Sequence, residues 1–205
     1  MSQRKLEARI LRRTPLYTGF LKVARYEIDT ERHAGGFQRL TREVMERGDA
    51  VAVLAYDPAR DAVVLVNEMR PGALAAGDYP YTDNLIAGAL DAGESPLRAA
   101  VRETKEETGL DLEDPVIVHP GAFVSSGGTS EKIVIVFGFV DASTAGGIHG
   151  NPEEQEDILS VVLPAEEFIA RTRRAEITDL KTLVAGYWLA EYRAGRPPAT
   201  GDPAE

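Results

Sequence analysis

Three glutamates within a five-residue stretch are the part of the sequence best suited to chemistry. Glu103, Glu106 and Glu107 lie in the segment 88–110, which reads GALDAGESPLRAAVRETKEETGL. At about 100° per residue, their side chains fall within about 100° of one another on a helix, so the carboxylates would repel each other. Mg²⁺ would relieve this repulsion, because hard cations take oxygen ligands and bridge carboxylates to phosphates. The alternative interpretation is an acidic helix face that is simply solvated.

The residues around the glutamates predict the helix that must position them. Ser95 is a good N-cap, and Pro96 suits the first helical position. Gly109 suits the position just after the last helical residue. A stripe distinct from the glutamates is predicted to be buried. Its members are Leu97, Ala100, Val101, Thr104 and Thr108.

Apolar runs elsewhere in the chain predict a sheet around this helix. The clearest hairpin joins a strand at 51–56 to one at 63–66 through a turn at 57–61, which contains Pro and Asp. The run 133–140 is apolar on both faces and predicts a central strand. Further strands are predicted at 84–87 and 161–163, and two more within 6–29.

The remaining segments are predicted to be loops, helices and a tail. Residues 30–48 are expected to form a loop with a short strand. Long loops are expected at 71–83 and 141–157, where loops of this length are often functional. Pro164 is expected to open a short helix, and 176–192 predicts an amphipathic C-terminal helix. The tail 193–205 is expected to be disordered.

Composition excludes several classes of protein. The 205 residues carry a formal net charge of −10 and no cysteine, so disulfides, thiolate catalysis and cysteine metal sites are excluded. The acidic balance argues against nucleic-acid binding. No apolar run approaches about 18 residues, so no membrane span is predicted. The N-terminus lacks the apolar stretch of a signal peptide, and we expect a cytoplasmic protein.

The spacing of Gly88, Glu94, Arg102-Glu103, Glu106-Glu107 and Gly109-Leu110 resembles the Nudix box. Thr104 is the one departure, because the family prefers an aliphatic residue there. A threonine at this buried position can bond back to a backbone carbonyl. The resemblance implies an α/β fold, the Nudix α/β/α sandwich with a mixed central sheet, here with an added N-terminal β-rich segment.

The same resemblance implies a metal-dependent hydrolase. It assigns metal binding, with Mg²⁺ as the ion and Mn²⁺ as an alternative, to the carbonyl of Ala87 and to Glu103, Glu106, Glu107 and Glu156. It also implies that Arg102 orients the glutamates and that Glu94 braces the loop before the helix. Glu154 is implied to be the general base, with Glu106 as the next candidate. Without the family, the acidic run 153–157 would be interpreted as a solvated loop.

From about residue 43 to 190 the chain is similar to bacterial ADP-ribose pyrophosphatases. This similarity implies hydrolysis of ADP-ribose to AMP and ribose 5-phosphate. The substrate-binding residues that it implies are Arg47, Arg70, Gly127, Gly128 and Glu131. Ser126 stands where ADP-ribose-specific members usually carry proline. Another nucleotide sugar, such as GDP-mannose or ADP-glucose, therefore stays open as substrate, as does a non-catalytic sensor of nucleotide sugars.

The resemblance also implies a homodimer with an exchanged N-terminal segment. Residues 1–45 are strand-rich and too poor in apolar residues to fold alone, which fits a dimerisation segment. The expected organisation is therefore this segment, a Nudix hydrolase domain at 46–192 and the disordered tail at 193–205. The expected partners are a nucleoside diphosphate sugar and a second copy of the chain.

Overall fold

The computed structural model describes residues 4–196, apart from the side chain of Glu154. Two compact units are present, one formed by residues up to Gly48 with Phe123–Lys132, and the other by Asp49–Ala122 with the chain from Ile133 onward. The predicted tail is described only as far as residue 196. Its remaining residues, 197–205, lie outside the described part of the chain, as do residues 1–3.

The first unit contains a three-stranded antiparallel sheet. Its strands are β1 (Ala8–Thr18), β2 (Lys22–Glu31) and β3 (Phe37–Glu46), in the order β1-β2-β3. The two strands predicted within 6–29 are confirmed. β3 is longer than the short strand predicted, because it pairs with β2 along its whole length, from Phe37 to Glu46. Of the strand residues described here, Ala24 alone is buried.

The second unit is built on an eight-stranded mixed sheet. The main order is β10-β11-β5-β4-β9-β8, with β6 paired to β5 and β7 paired to β4. β4 runs parallel to β9 and antiparallel to β5 and β7. The strands are β4 (Ala50–Asp57), β5 (Ala62–Met69), β6 (Tyr81–Asn84), β7 (Ile86–Ala89), β8 (Glu113–Phe123), β9 (Lys132–Phe139), β10 (Ile148–His149) and β11 (Ile158–Pro164).

Helices cover both faces of this sheet. The short helix α1 (Pro71–Ala76) has no buried residue. The covering helices are α2 (Pro96–Thr108) on one face, and α3 (Ala165–Arg173) and α4 (Leu180–Arg193) on the other. Because side chains alternate along a strand, β4 supplies two cores. Val51 and Val53 pack with Ala99 and Ala100 of α2. Ala52 and Leu54 pack with residues of α3 and α4 on the other face. The predicted α/β/α sandwich with a mixed sheet is confirmed.

Local structure also differs from the prediction in other segments. The predicted strand 84–87 is divided between β6 and β7, and β8 was not predicted. The predicted loop 71–83 contains α1 and the start of β6, because Pro71 begins a helical turn and Gly77 ends it at φ +86°. The predicted loop 141–157 contains β10 and two 3₁₀ turns, Ala142–Thr144 and Pro152–Glu154. The C-terminal helix begins at Leu180 rather than 176, because Asp179 caps it. Within residues 4–196, none of the helices has the length and hydropathy needed to cross a membrane.

Candidate active site

α2 begins and ends where its capping residues predict. The Ser95 hydroxyl accepts a hydrogen bond from the backbone N–H of Arg98 at 3.4 Å, and Pro96 is the first helical residue. Gly109 follows the helix at φ +73°, and its N–H donates to the Lys105 carbonyl at 2.9 Å. The left-handed conformation suits glycine, because it has no Cβ to clash. These caps fix the length of the helix that carries the glutamates.

The buried face of α2 differs from the predicted stripe. Val101 was predicted to be buried, but it is 41% exposed. Glu103 and Glu107, predicted on another face, are buried with Ala99 and Ala100. The helix places its two small alanines against the sheet, and this rotation carries the two carboxylates inward with them. Two of the three helix carboxylates are therefore buried rather than solvated.

The threonine hydroxyls on the buried face of α2 donate hydrogen bonds to backbone carbonyls of the same helix. Thr104 Oγ1 donates to the Ala100 carbonyl at 2.7 Å, and Thr108 Oγ1 donates to the Thr104 carbonyl at 2.5 Å. The predicted back-bond of Thr104 is thus confirmed. Thr104 is fully buried, so its departure from an aliphatic residue leaves no buried hydroxyl without an acceptor.

β7 brings the backbone of residues 87 and 88 against the glutamates. A Cβ on Gly88 would lie 1.8 Å from Glu103 Oε1, so any larger residue would displace that carboxylate. The backbone N–H of Ala87 donates to Glu107 Oε2 at 3.1 Å. Ala87, predicted to offer its carbonyl to a metal, therefore contacts the predicted ligand Glu107 through its N–H.

Arg102 is the hub of the charged network. Its Nε and Nη2 donate to the two carboxylate oxygens of Glu94 at 3.1 and 2.9 Å, a forked contact. Its Nη1 donates to Glu103 at 2.7 Å and to Glu106 at 3.0 Å. Hydrogen bonds with Glu94 are the main cause that raises the pKa of Arg102, and they lower the pKa of Glu94. Arg102 thus ties the loop before α2 to two helix glutamates.

Burial dominates the electrostatics of the two inner glutamates. It raises the pKa of Glu107 to about 8, with the charges of Glu103 and Glu68 adding to the effect and Ala87 N–H and Arg70 opposing it. Burial also raises the pKa of Glu103, although Arg102 opposes this rise. Glu106 is the outer member, with 52% of its side chain exposed. Two carboxylates are thus held where negative charge is unfavourable.

The oxygen donors of the α2 glutamates suit a divalent cation, although these side chains do not converge on one point. Across residues 4–196, leaving Glu154 aside, no three carboxylate or imidazole side chains converge into a metal-binding group. Arg102 Nη1 contacts one carboxylate oxygen of Glu103 and one of Glu106. Oxygen donors that are buried and mutually repelling are nevertheless the chemistry that a hard cation stabilises.

The loop before β11 brings a further carboxylate to this site. The charge of Glu156 is among the causes that raise the pKa of Glu103. Glu156 Oε2 accepts the backbone N–H of Asn151 at 2.9 Å, and the Gly150 N–H donates to the Glu106 carbonyl at 3.3 Å. Glu154 ends the 3₁₀ turn in this loop, but its side chain lies outside the described part.

Four of the five predicted substrate-binding residues lie in the first unit. Arg47 is exposed and directly follows β3. Gly127 and Gly128 have open space where a Cβ would be. The Gly128 carbonyl accepts the Met45 N–H at 2.9 Å, so this glycine turn is held beside the end of β3. Glu131 is buried at the end of the same loop. Arg47, Gly127 and Gly128 thus belong to one region of that unit.

Arg70, the fifth, lies in the second unit and has a partner that the sequence did not single out. Its Nη1 is 2.5 Å from Oε1 of Glu68. Glu68 lies near the end of β5, and Arg70 directly follows the strand in an extended conformation, with φ −101° and ψ 103°. Because the two residues are two positions apart in extended backbone, their side chains leave the same face. The period-2 pattern of the predicted strand 63–66, continued by two more steps, would have revealed this pair.

Comparisons with known proteins show the family and the fold of the chain. Residues 46–182 match the family model described as NUDIX domain. The chain is 36% identical over 188 residues to the ADP-ribose pyrophosphatase of Escherichia coli K12, covering 90% of this chain and 88% of that protein. It is 32% identical over 161 residues to the GDP-mannose pyrophosphatase of Pectobacterium atrosepticum, covering 78% and 82%. A crystal structure of an ADP compounds hydrolase shares the fold, with a TM-score of 0.70 at 21% identity, over 94% of this chain and 98% of that one.

Proposed function

The chain belongs to the NUDIX domain family, and on that premise we propose that it hydrolyses the pyrophosphate bond of ADP-ribose to AMP and ribose 5-phosphate with Mg²⁺. The observation that carries this proposal is the α2 cluster, in which Arg102 holds Glu94, Glu103 and Glu106 and Gly88 leaves room for the carboxylate of Glu103. The identity to relatives named ADP-ribose pyrophosphatase supports the choice of substrate.

Glu103, Glu106 and Glu107 are the residues that would hold the ion, with Glu156 and the Ala87 carbonyl as further donors. The buried position and raised pKa of Glu107 support this assignment, because a cation beside it would favour its charged form. When bound, a divalent ion supplies charge neutralisation on the bridging phosphates and polarises water for attack.

The chain's own residues would supply orientation and proton transfer. Arg102 keeps Glu103 and Glu106 in place through Nη1. Glu154 is proposed to accept the proton of the attacking water, because the helix glutamates are engaged with the ion. General-base help is typically worth about 10²–10⁴ in rate, so Glu154→Gln should lower kcat in that range. A kcat above about a third of the wild-type value would move the assignment to Glu106.

Arg47, Arg70, Gly127, Gly128 and Glu131 are proposed to bind the substrate. The arginines offer planar donors for phosphate oxygens. The glycine turn leaves open space beside Gly127 and Gly128, which supports close approach of a phosphate or sugar to the backbone. The Gly128 N–H itself donates to the Ser125 carbonyl at 3.0 Å and holds the turn together.

We also propose that the protein is a homodimer formed through its N-terminal segment. The support is the three-stranded sheet of the first unit, whose described strand residues bury little. Large exposed apolar side chains there include Ile10, Leu16, Tyr17, Phe20 and Phe37. Sedimentation of the full chain should give a mass near twice 22.2 kDa, and a monomer at micromolar concentration would contradict this part of the proposal.

Turnover of a nucleotide-sugar panel tests the proposed activity. With Mg²⁺, ADP-ribose should be cleaved to AMP and ribose 5-phosphate with the highest kcat/KM, and EDTA should abolish the reaction. GDP-mannose is the second candidate, favoured by the relative from Pectobacterium and by Ser126 in place of proline. If GDP-mannose or ADP-glucose is cleaved at least as well, the ADP-ribose assignment is wrong. Binding without any cleavage would favour a sensor. Ser126→Pro should sharpen the preference for ADP-ribose.

A further inference from the structure

Glu68 and Arg70 extend a row of side chains along β5 on the α2 face of the sheet. Alternate strand residues share a face, and Val64 and Val66 of this row are fully buried in the core that includes the alanines of α2. Both Glu68 and Arg70 contribute to the electrostatic environment of Glu107. The pair therefore lies beside the carboxylate cluster rather than on the opposite face of the sheet.

One edge of the Arg70 guanidinium is held and another is left without an acceptor. Nη1 lies 2.5 Å from Glu68 Oε1, with side-chain exposures of 33% for Arg70 and 18% for Glu68. Nη2 is buried and has no hydrogen-bond partner among the described residues. A buried charged donor without an acceptor is costly, so such a group in a folded protein calls for a physical explanation.

The backbone of Arg70 is fixed, so the direction of its guanidinium depends on the side chain. The Arg70 N–H donates to the Pro80 carbonyl at 2.9 Å, and its carbonyl accepts the Leu74 N–H at 3.2 Å. Pro71 restricts the preceding residue to extended conformations, and Arg70 has φ −101° and ψ 103°. The side-chain torsions of Arg70 are the freedom that remains, and the contact with Glu68 restricts them.

We propose that Glu68 is a positioning residue, whose carboxylate holds Nη1 of Arg70 so that Nη2 faces a phosphate oxygen of the bound nucleotide sugar. This inference rests on the proposed function for its ligand. Glu68 is itself negative and would repel a phosphate, so all of its benefit must pass through Arg70. Removing Glu68 should therefore weaken binding when Arg70 is present, and should be neutral or favourable when Arg70 is absent.

A double-mutant cycle measured by calorimetry tests this dependence. ADP-ribose is titrated in EDTA, where turnover is blocked, into the wild type, Glu68→Ala, Arg70→Ala and the double variant. Glu68→Ala should raise the Kd about tenfold, which is about 1.4 kcal/mol and close to the lower end of what a hydrogen bond to a charged group contributes. In the Arg70→Ala background the same change should alter the Kd less than about twofold, the non-additivity expected of coupled residues.

Two further variants separate positioning from general effects. Glu68→Gln keeps an oxygen that can accept from Arg70 Nη1, so it should recover part of the affinity. Glu167→Gln removes a carboxylate that pairs with Arg171 and Arg174 at 3.0 Å, and it should leave the Kd unchanged. Thermal unfolding of each variant checks that the fold is retained.

The outcomes separate this inference from the proposed function. An equal effect of Glu68→Ala in both backgrounds, an unchanged Kd, or no measurable binding by the wild type would overturn the positioning role. Hydrolysis by the wild type is measured separately with Mg²⁺. Coupled binding without hydrolysis would refute the proposed activity alone, and hydrolysis without coupling would refute the positioning role alone.

Discussion

The carboxylates of the three-stranded sheet and the buried glutamates of α2 have opposite environments. In the three-stranded sheet the carboxylates pair with arginines on other strands of the same sheet. Hydrogen bonds from Arg13, and then Tyr26, lower the pKa of Glu46 to about 2, and Arg39 is the main cause that lowers the pKa of Asp29. In α2, burial raises the pKa of Glu107 to about 8. In the three-stranded sheet the ionised carboxylates are stabilised by arginines, so they keep their charge easily. On α2 the buried carboxylates need a further positive partner to become charged.

Asp179 shows that burial alone does not explain this difference. Burial acts to raise its pKa, but Lys181 and Thr182 outweigh burial and the pKa is lowered overall. Its carboxylate accepts from the Thr182 N–H at 3.0 Å and receives an ion pair from Lys181 at 2.8 Å. What distinguishes Glu107 is therefore burial without a cationic partner, which is the combination expected at functional sites.

Glu107→Gln should produce the largest effect and should separate activity from stability. Loss of this proposed metal ligand is expected to lower kcat about a thousandfold, because metal assistance is worth several kcal/mol in the transition state. In EDTA at pH 7 the same change should raise the Tm, because the pKa of Glu107 is raised from 4.5 to about 8. The carboxyl must therefore take up a proton on folding, which costs stability above the unfolded pKa, whereas glutamine does not titrate. Steady-state kinetics and calorimetric melting measure the two effects. Glu113→Gln, at an exposed strand position, is the control. A lower Tm for Glu107→Gln in EDTA would contradict the conclusion that burial makes the Glu107 carboxylate unfavourable for stability.

Gly88→Ala should come next. The added Cβ would lie 1.8 Å from Glu103 Oε1, so the carboxylate must move. A displacement of about 1 Å in a catalytic group can cost 10²-fold in rate, and kcat should fall by about that factor. Gly72→Ala places its Cβ where nothing lies within 4 Å and should keep full activity. Near-normal turnover by Gly88→Ala would show that Glu103 has more freedom than its contacts indicate.

Asp179→Ala should lower the free energy of unfolding by about 1 kcal/mol at pH 7, because it removes the N-cap of α4. The pKa of Asp179 is depressed in the folded protein, so its contribution is present above the unfolded pKa of about 3.9 and is lost as pH falls through the folded pKa. Denaturant melts at several pH values should show the gap to the wild type narrowing below about pH 4. Asp179→Asn keeps the cap and should lose less at pH 7. If the difference in unfolding free energy stayed constant with pH, the charge of Asp179 would be excluded as the source of its contribution.

Glu46→Gln should have the smallest effect, despite the low pKa of Glu46. Exposed ion pairs contribute about 0–1 kcal/mol, so the free energy of unfolding should change by less than about 0.5 kcal/mol at neutral pH. Because this pKa is lowered from 4.5 to about 2, any contribution should disappear as pH falls between those values. Denaturant melts in low and high salt measure it. If Glu46→Gln lowered the free energy of unfolding as much as Asp179→Ala does, the ion pairs of the three-stranded sheet would contribute more to stability than exposed pairs usually do.

The sequence predicts those parts of the site that depend on local chemistry. Ser95, Pro96 and Gly109 fixed the bounds of α2, because caps act within one turn of the residues that form them. The back-bond of Thr104 is equally local. The strand pattern around 51–66 likewise predicted the central hairpin, because alternation and turn residues are read within a few positions.

The rest depended on contacts between distant segments. Helical periodicity gave Val101 and Glu107 the wrong environments, because the rotation of α2 is set by how closely Ala99 and Ala100 approach the sheet. β3 was predicted to be short, because its pairing with β2 across ten positions is not visible in its own residues. The sequence did not predict a role for Glu68, because an acidic residue is not informative until its contact with Arg70 is known.

The chain contains one tryptophan, and its position makes it an optical probe of a single face of the sheet. Trp188 on α4 packs 4.9 Å from the ring of Phe137 and stacks on Tyr192 at 5.3 Å, in the core opposite to the one that includes α2. Its fluorescence therefore reports on the integrity of the α3–α4 layer. A ligand bound at the carboxylate helix would leave that emission largely unchanged, whereas exposure of the ring to water on unfolding would shift it to longer wavelength.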